Sequence, residues 1–165
     1  MIYILAIDQS TSATKVLLLD ETGAIVDATS REHRQIYPEP GWVEHDAEEI
    51  WQNLLAAAAE ICQRNGNRLN DVAGVSIANQ RETFVVFDRS TGAPLHHAVV
   101  WQCRRGDGVC QKLVAEGHNA LVQEKTGLKL DSYFPAPKIS WLLQQFPDIA
   151  EKLRAGTAVV STMDA

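Results

Sequence analysis

The segment Asp8–Lys15 places an acidic residue, a hydroxyl-rich turn and a lysine in the order DQSTSATK. Phosphate oxygens need hydrogen-bond donors. A tight turn of small residues supplies backbone N–H groups and hydroxyls, and Lys15 adds a positive charge. Asp8 could hold hydrated Mg²⁺, which binds proteins through one or two carboxylates. The segment lacks the glycines of a Walker A loop. The alternative is an ordinary hairpin turn in which Ser and Thr side chains satisfy the backbone.

A second group of residues has the chemistry of a polyol site. In NQRET (79–83) the guanidinium of Arg81 offers donors and the carboxylate of Glu82 offers acceptors, so the pair could bind two adjacent hydroxyls. The alternative is a surface ion pair at a strand end. Trp101 could cover the C–H face of a small polyol, although such a Trp more often belongs to a core. Tyr133 precedes a predicted helix, where its hydroxyl could reach a ligand; core packing is the alternative.

Other reactive side chains form no recognisable site. The five histidines lack the Ser, Cys or Asp pattern of a nucleophilic triad. The three cysteines have no CxxC spacing, which predicts reduced thiols in the cytoplasm and no zinc site. Arg104 and Arg105 are predicted to be the solvated start of a helix.

The N-terminal elements that carry the first group are strands. Ile2–Ile7 is predicted to be a buried strand, followed by strands at Val16–Leu19 and Ile25–Arg31, with a hairpin turn at Gly23. Three strands joined by short turns predict an antiparallel meander, not a classical Rossmann start.

A helix and further strands follow the meander. Asp46 is predicted to be an N-cap with Glu49 completing a capping box, at the start of an amphipathic helix over 47–64. Beyond Arg104 the pattern is helical, with Gly127 as a C-cap and Pro147 starting a short helix. The further predicted strands are 72–77, 83–87, 98–101 and 158–160.

Composition excludes several classes of protein. The chain has 165 residues and a net charge of −6, which suits one domain or part of a larger one. The acidic balance argues against a protein that coats nucleic acid. No apolar run approaches the ~18 residues of a membrane helix, and the first residues lack the positive region of a signal peptide. We therefore expect a cytoplasmic protein without a membrane span or a nucleic-acid partner.

Five segments together resemble the N-terminal part of the FGGY carbohydrate kinases, most closely the members that act on glycerol. The resemblance covers nearly the whole chain and implies an α/β, ribonuclease-H-like (actin-like ATPase) fold, as an incomplete N-terminal lobe. The segments are IDQST (7–11), YPEPGWVEHD (37–46), NQRET (79–83), VWQCRR (100–105) and TGL (126–128).

The resemblance also implies a role for each candidate residue. Asp8 belongs to a Mg²⁺ site, and the ATP phosphates lie by three residues, Thr11, Ser12 and Lys15. The small polyol or sugar is bound by four others, Arg81, Glu82, Trp101 and Tyr133. The implied activity is ATP-dependent phosphorylation of a hydroxyl, with glycerol the leading acceptor. The alternatives are another acceptor, such as erythritol or the ketose xylulose, and a non-catalytic polyol-binding module.

Two residues depart from the family pattern, and one expected residue is missing. Ser10 stands where the family usually has Gly. Lys15 replaces an Arg, so a single ammonium charge stands in place of a planar guanidinium with several donors. The resemblance implies that the general-base Asp and the C-terminal ATPase lobe lie beyond Ala165. We therefore expect residues 1–165 to be a partial N-terminal domain that is inactive alone, and leave a homo-oligomer open.

Overall fold

In the computed structural model, which describes residues 1–164, the chain forms two compact units. The first unit comprises Met1–Gln35, His45–Arg81 and residues 163–164. The second unit comprises Ile36–Glu44 and Glu82–Thr162. The chain therefore passes between the units more than once, and two of these passages fall in segments that the sequence singles out: Glu44/His45 and Arg81/Glu82.

The first unit contains a four-stranded sheet with the strand order β3-β2-β1-β5. β1 is antiparallel to β2, and β2 to β3, which confirms the predicted meander; β5 joins β1 in parallel. The hairpin turn has Gly23 at φ +82°, as predicted. The strands are β1 (Tyr3–Gln9), β2 (Ala13–Asp20), β3 (Ile25–Glu32) and β5 (Val72–Asn79).

The prediction that Ile2–Ile7 is a buried strand is wrong in part. The strand begins at Tyr3, and only its two end residues, Tyr3 and Gln9, are buried. One helix packs on the part of the sheet nearest β2 and β3, so the middle of β1 keeps partial access to solvent.

That helix is α1, Ala47–Arg64, with the predicted boundaries. The Asp46 side chain accepts from the N–H groups of Glu48 and Glu49, which confirms the N-cap. The carboxylate of Glu49 instead accepts from the backbone and side chain of Arg34, so it does not complete the predicted capping box. The core between helix and sheet is formed by Tyr3, Val16, Leu18, Ala57 and Ile61. A 3₁₀ helix, Gly66–Asp71, leads into β5.

The second unit contains a sheet with the order β4-β7-β6-β8 and four helices that the structure describes. The strands are β4 (Glu44–His45, where the chain enters the first unit), β6 (Phe84–Asp88), β7 (Ala98–Val99) and β8 (Ala158–Thr162). The helices are α2 (Asp107–Ala115), α3 (Asn119–Thr126), α4 (Pro135–Gln145) and α5 (Pro147–Arg154).

The local signals in this half of the sequence are confirmed, with one strand shorter than predicted. Gly127 ends α3 at φ +73°, and Pro147 is the first residue of α5. β7 ends at Val99, so Trp101 lies in the turn that follows. The core of the second unit is formed by Val43, Phe84, Val86, Val99, Val100, Cys103, Leu142, Ile149 and Ala158. Within residues 1–164 no helix is long and apolar enough to cross a membrane.

Candidate functional site

The Asp8–Lys15 segment is the turn between β1 and β2. Ser10 N–H donates to the Ala13 carbonyl at 2.9 Å, and Asp8 faces Lys15 directly across the antiparallel pair. This confirms the prediction of a tight turn between antiparallel strands. The register puts a carboxylate and an ammonium group at the same end of the sheet.

The Asp8 carboxylate interacts with two neighbouring side chains, those of Ser10 and Lys15. One oxygen accepts from the Ser10 hydroxyl at 2.9 Å, and the other lies 3.7 Å from Lys15 Nζ. The side chains of Asp8 and Lys15 are 42% and 50% exposed. Ion pairs this accessible contribute about 0–1 kcal/mol, so either partner can turn to a ligand at little cost.

The carbonyl oxygens of this turn are bonded to donors from the same unit. Thr11 O accepts from His33 Nε2 and from Gln35 Nε2, each at 2.9 Å, and Ser12 O accepts from His33 N–H at 3.3 Å. Carbonyl oxygens repel phosphate oxygens because both are acceptors. Because these carbonyls are already hydrogen-bonded to His33 and Gln35, the turn is suited to lie close to a phosphate.

Glu82 has a strained backbone. Its φ is +66°, a conformation that costs a non-glycine residue about 1–3 kcal/mol. Arg81 lies at the end of the first unit and Glu82 begins the second. Outliers of this kind cluster at functional sites, so the strain is an independent reason to place Glu82 among the candidate site residues.

Trp101 and Tyr133 lie together in the second unit. Their ring centroids are 5.7 Å apart in an edge-on arrangement, and both line a cavity of about 490 Å³. Polar lining residues include Gln102, Gln111 and Asp131. The structure therefore brings together two of the four predicted acceptor residues, in a cavity with polar groups. That Arg81 and Glu82 share this cleft stays a prediction.

Lys138 holds these two aromatic segments together, and sequence reasoning missed it. Its side chain is fully buried, and Nζ donates to the carbonyls of Ser132 and Tyr133 at 2.8 Å and of Trp101 at 3.3 Å. Burial lowers the pKa of Lys138 to about 8, so the amine is still protonated near pH 7. A sequence signal existed: Lys138 lies four residues before Leu142, on the buried face of α4.

Arg105 corrects a second expectation. Arg104 is exposed as predicted, but Arg105 is buried and therefore not part of a solvated helix start. Its Nη2 donates to Glu44 Oε1 at 2.5 Å. The guanidinium also lies 4.3 Å from the ring of Trp42 and 4.7 Å from that of Trp141. A carboxylate and two aromatic faces offset the cost of removing the cation from water.

Comparison with known proteins identifies the family. Residues 3–164 match the sequence model of the N-terminal domain of the FGGY family of carbohydrate kinases. The chain belongs to the FGGY family of carbohydrate kinases. Over 99% of its length it is 45% identical to a glycerol kinase of Symbiobacterium thermophilum and 41% identical to glycerol kinase 2 of Thermotoga maritima. It spans about a third (33%) of the length of each of these relatives.

Solved structures confirm the predicted fold class. A glycerol kinase of Plasmodium falciparum superposes with a TM-score of 0.91 at 39% identity, over 99% of this chain and 33% of that one. A xylulose kinase of Rhodospirillum rubrum shares the fold, with a TM-score of 0.85 at 22% identity, over 98% of this chain and 32% of its own. The mixed α/β architecture with two sheets is thus that of the FGGY kinases, the actin-like ATPase fold.

We predict that Lys138→Met lowers the free energy of unfolding by about 3 kcal/mol, because three carbonyls lose their buried donor while the side-chain volume is kept. Urea unfolding measures the change. Lys129→Met, at an exposed lysine, is the matched control and should change stability by less than about 0.5 kcal/mol. Equal effects of the two substitutions would contradict the role of Lys138.

We predict that Glu82→Gly is more stable than Glu82→Ala by about 1 kcal/mol. Both variants lose the carboxylate, but only glycine removes the Cβ that makes φ +66° unfavourable. The comparison between the two variants therefore isolates backbone strain from side-chain contacts. Thermal or urea unfolding gives the difference, and an alanine variant as stable as the glycine variant would show that the backbone is not strained.

Proposed function

We propose that the full-length protein transfers the terminal phosphoryl group of ATP to a hydroxyl of a small polyol, with glycerol as the acceptor. The observation that carries this proposal is the similarity of the whole chain to glycerol kinases, together with a turn and an aromatic pair suited to the two substrates. The Plasmodium falciparum structure was solved with ADP, which supports a nucleotide as the donor.

At the donor end, Thr11, Ser12 and Lys15 would bind the ATP phosphates. The two hydroxyls supply hydrogen-bond donors, and the half-exposed ammonium of Lys15 supplies charge. The carbonyl oxygens of Thr11 and Ser12 accept hydrogen bonds from His33 and Gln35. These acceptors therefore do not point at the phosphate oxygens, which would repel them.

Asp8 fits the requirements of a magnesium ligand. Within residues 1–164 no three His, Cys, Asp or Glu side chains are grouped to hold a metal ion. A single accessible carboxylate suits Mg²⁺, because this ion keeps several waters and is completed by phosphates. Bound Mg²⁺ would neutralise charge on the phosphates of ATP.

At the acceptor end, Arg81 and Glu82 would bind adjacent hydroxyls, because the guanidinium donates and the carboxylate accepts. The Trp101 ring would cover the C–H face of the polyol and Tyr133 would add a hydroxyl. The proposal places the general base, an Asp, outside residues 1–165. These residues form a partial N-terminal domain, and the C-terminal ATPase lobe would complete the enzyme.

Two further properties belong to the same proposal. All three cysteines are free thiols, which suits the cytoplasm as the location of the protein.

On β5, Val75 is 60% and Ile77 53% exposed. Apolar side chains this accessible favour contact with another surface, and we expect residues 1–165 to self-associate when studied alone.

We predict that Asp8→Asn lowers kcat/KM of the full-length enzyme about 100-fold or more, while its free energy of unfolding changes by less than about 1 kcal/mol. The substitution keeps the shape and removes the charge that would hold Mg²⁺. Steady-state kinetics against Mg²⁺ concentration and urea unfolding measure the two effects. Asp71→Asn, at an exposed position, is the control. Wild-type turnover of Asp8→Asn would refute the metal role.

The acceptor and the incompleteness of the chain are tested together by coupled ADP release. We predict that the full-length protein with Mg-ATP releases ADP in the presence of glycerol, and that residues 1–165 alone do not. The expected reason is that the chain offers groups for both substrates but no general base. If the full-length protein releases more ADP with erythritol or xylulose than with glycerol, that compound and not glycerol is the acceptor. Polyol binding without release would favour the non-catalytic module, and polyol-dependent release by residues 1–165 would place the base within them.

A further inference from the structure

A continuous chain of side-chain hydrogen bonds runs through the first unit. Gln35 Nε2 donates to the Thr11 carbonyl at 2.9 Å, and Gln35 Oε1 lies 2.8 Å from His45 Nε2. On the other side of the ring, His45 Nδ1 lies 3.3 Å from Gln80 Nε2. The four residues Thr11, Gln35, His45 and Gln80 are far apart in sequence and are joined here by three contacts.

The direction of each bond follows from the first acceptor. A carbonyl oxygen only accepts, so the atom of Gln35 facing Thr11 is the amide nitrogen, and the atom facing His45 is the amide oxygen. His45 Nε2 must therefore carry a proton and donate it to Gln35. The other ring nitrogen, Nδ1, is left as the acceptor for the Gln80 amide.

Burial requires His45 to stay neutral in this arrangement. The His45 side chain is fully buried, and its ring contacts that of His33 edge-on, with centroids 4.7 Å apart. Burial is the main cause that lowers the pKa of His45 to about 4; the neighbouring His33 lowers it further and Glu49 opposes the shift. A neutral imidazole is a donor at one nitrogen and an acceptor at the other, as the two glutamines need.

The two ends of the chain lie in the two segments that the proposed function uses. Thr11 is in the turn assigned to the ATP phosphates. Gln80 immediately precedes Arg81 and the strained Glu82, which are assigned to the acceptor. Gln80 is itself buried, so its amide is held inside the unit rather than by solvent.

We propose that His45 is a positioning residue that sets the phosphate turn through Gln35 and the acceptor segment through Gln80, with a different ring nitrogen serving each. This proposal rests on the function proposed above. A residue that only stabilised the fold would affect both segments together. A residue with one nitrogen for each segment allows the two effects to be separated by substitution.

Two amide substitutions separate the nitrogens. The amide of glutamine reaches the position of Nε2, so His45→Gln can still donate to Gln35 and loses the acceptor for Gln80. The amide of asparagine reaches the position of Nδ1, so His45→Asn can still accept from Gln80 and loses the donor to Gln35. The variants are therefore reciprocal, and each is a control for the other.

We expect the kinetics of the full-length enzyme to divide accordingly. His45→Gln should raise KM for glycerol about 10-fold with KM for ATP within about twofold of wild type. His45→Asn should raise KM for ATP about 10-fold with KM for glycerol within about twofold. His118→Asn, at an exposed histidine, should change neither. An increase of both KM values by the same factor in both variants, or of neither, overturns the proposal.

Hydrogen–deuterium exchange of the full-length protein without substrates tests the positioning role separately from the function. His45→Gln should speed exchange in peptides covering 79–82 and leave those covering 10–14 near wild type; His45→Asn should do the reverse. This pattern in a protein that phosphorylates no polyol would overturn the proposed function and keep the positioning role. Exchange that rises equally in both segments, or in neither, overturns the positioning role whatever the enzyme does.

Discussion

A carbonyl oxygen accepts hydrogen bonds and never donates them, and at Thr11 this constraint orders the polar interior of the first unit. The oxygen has two donors, from His33 and Gln35. Because the Gln35 amide must point its nitrogen at Thr11, its oxygen is fixed toward His45, and the tautomer of that ring follows. Most buried polar groups in proteins are hydrogen-bonded, and here the bonds from His33 and Gln35 also define the conformation of a turn that carries no regular secondary structure.

In the second unit, buried cations supply the partners for carbonyl and carboxylate oxygens. Lys138 donates to three carbonyls that belong to two separate segments, and Arg105 pairs with Glu44 and also contacts two indole rings. Each cation loses its hydration and recovers interactions from oxygens or aromatic faces. Trp101 and Tyr133 lie outside helices and strands, so the hydrogen bonds of Lys138 hold them where backbone ladders do not.

The sequence predicted what local signals determine and missed what distant partners determine. The bounds of α1 and the turn at Gly23 follow from a capping residue, helical periodicity and glycine, all within a few positions. The burial of Arg105 depends on Glu44, 61 residues earlier. Lys138 depends on the Trp101 carbonyl, 37 residues earlier, and His45 on Gln80, 35 residues later. None of these three partners can be identified from the local sequence pattern, because charged and polar residues usually remain in solvent.

Glu82 carries backbone strain that a glycine at the same position would avoid. Among residues 1–164, every other positive φ belongs to a glycine: six glycines, each in a turn or at a helix end, take the left-handed conformation without cost. Where only the backbone must bend, the sequence therefore uses glycine. At position 82 it keeps a carboxylate and the strain that comes with a Cβ. If backbone energy alone counted, glycine would be favoured at position 82, so the glutamate found there is a reason to look for a role of its carboxylate.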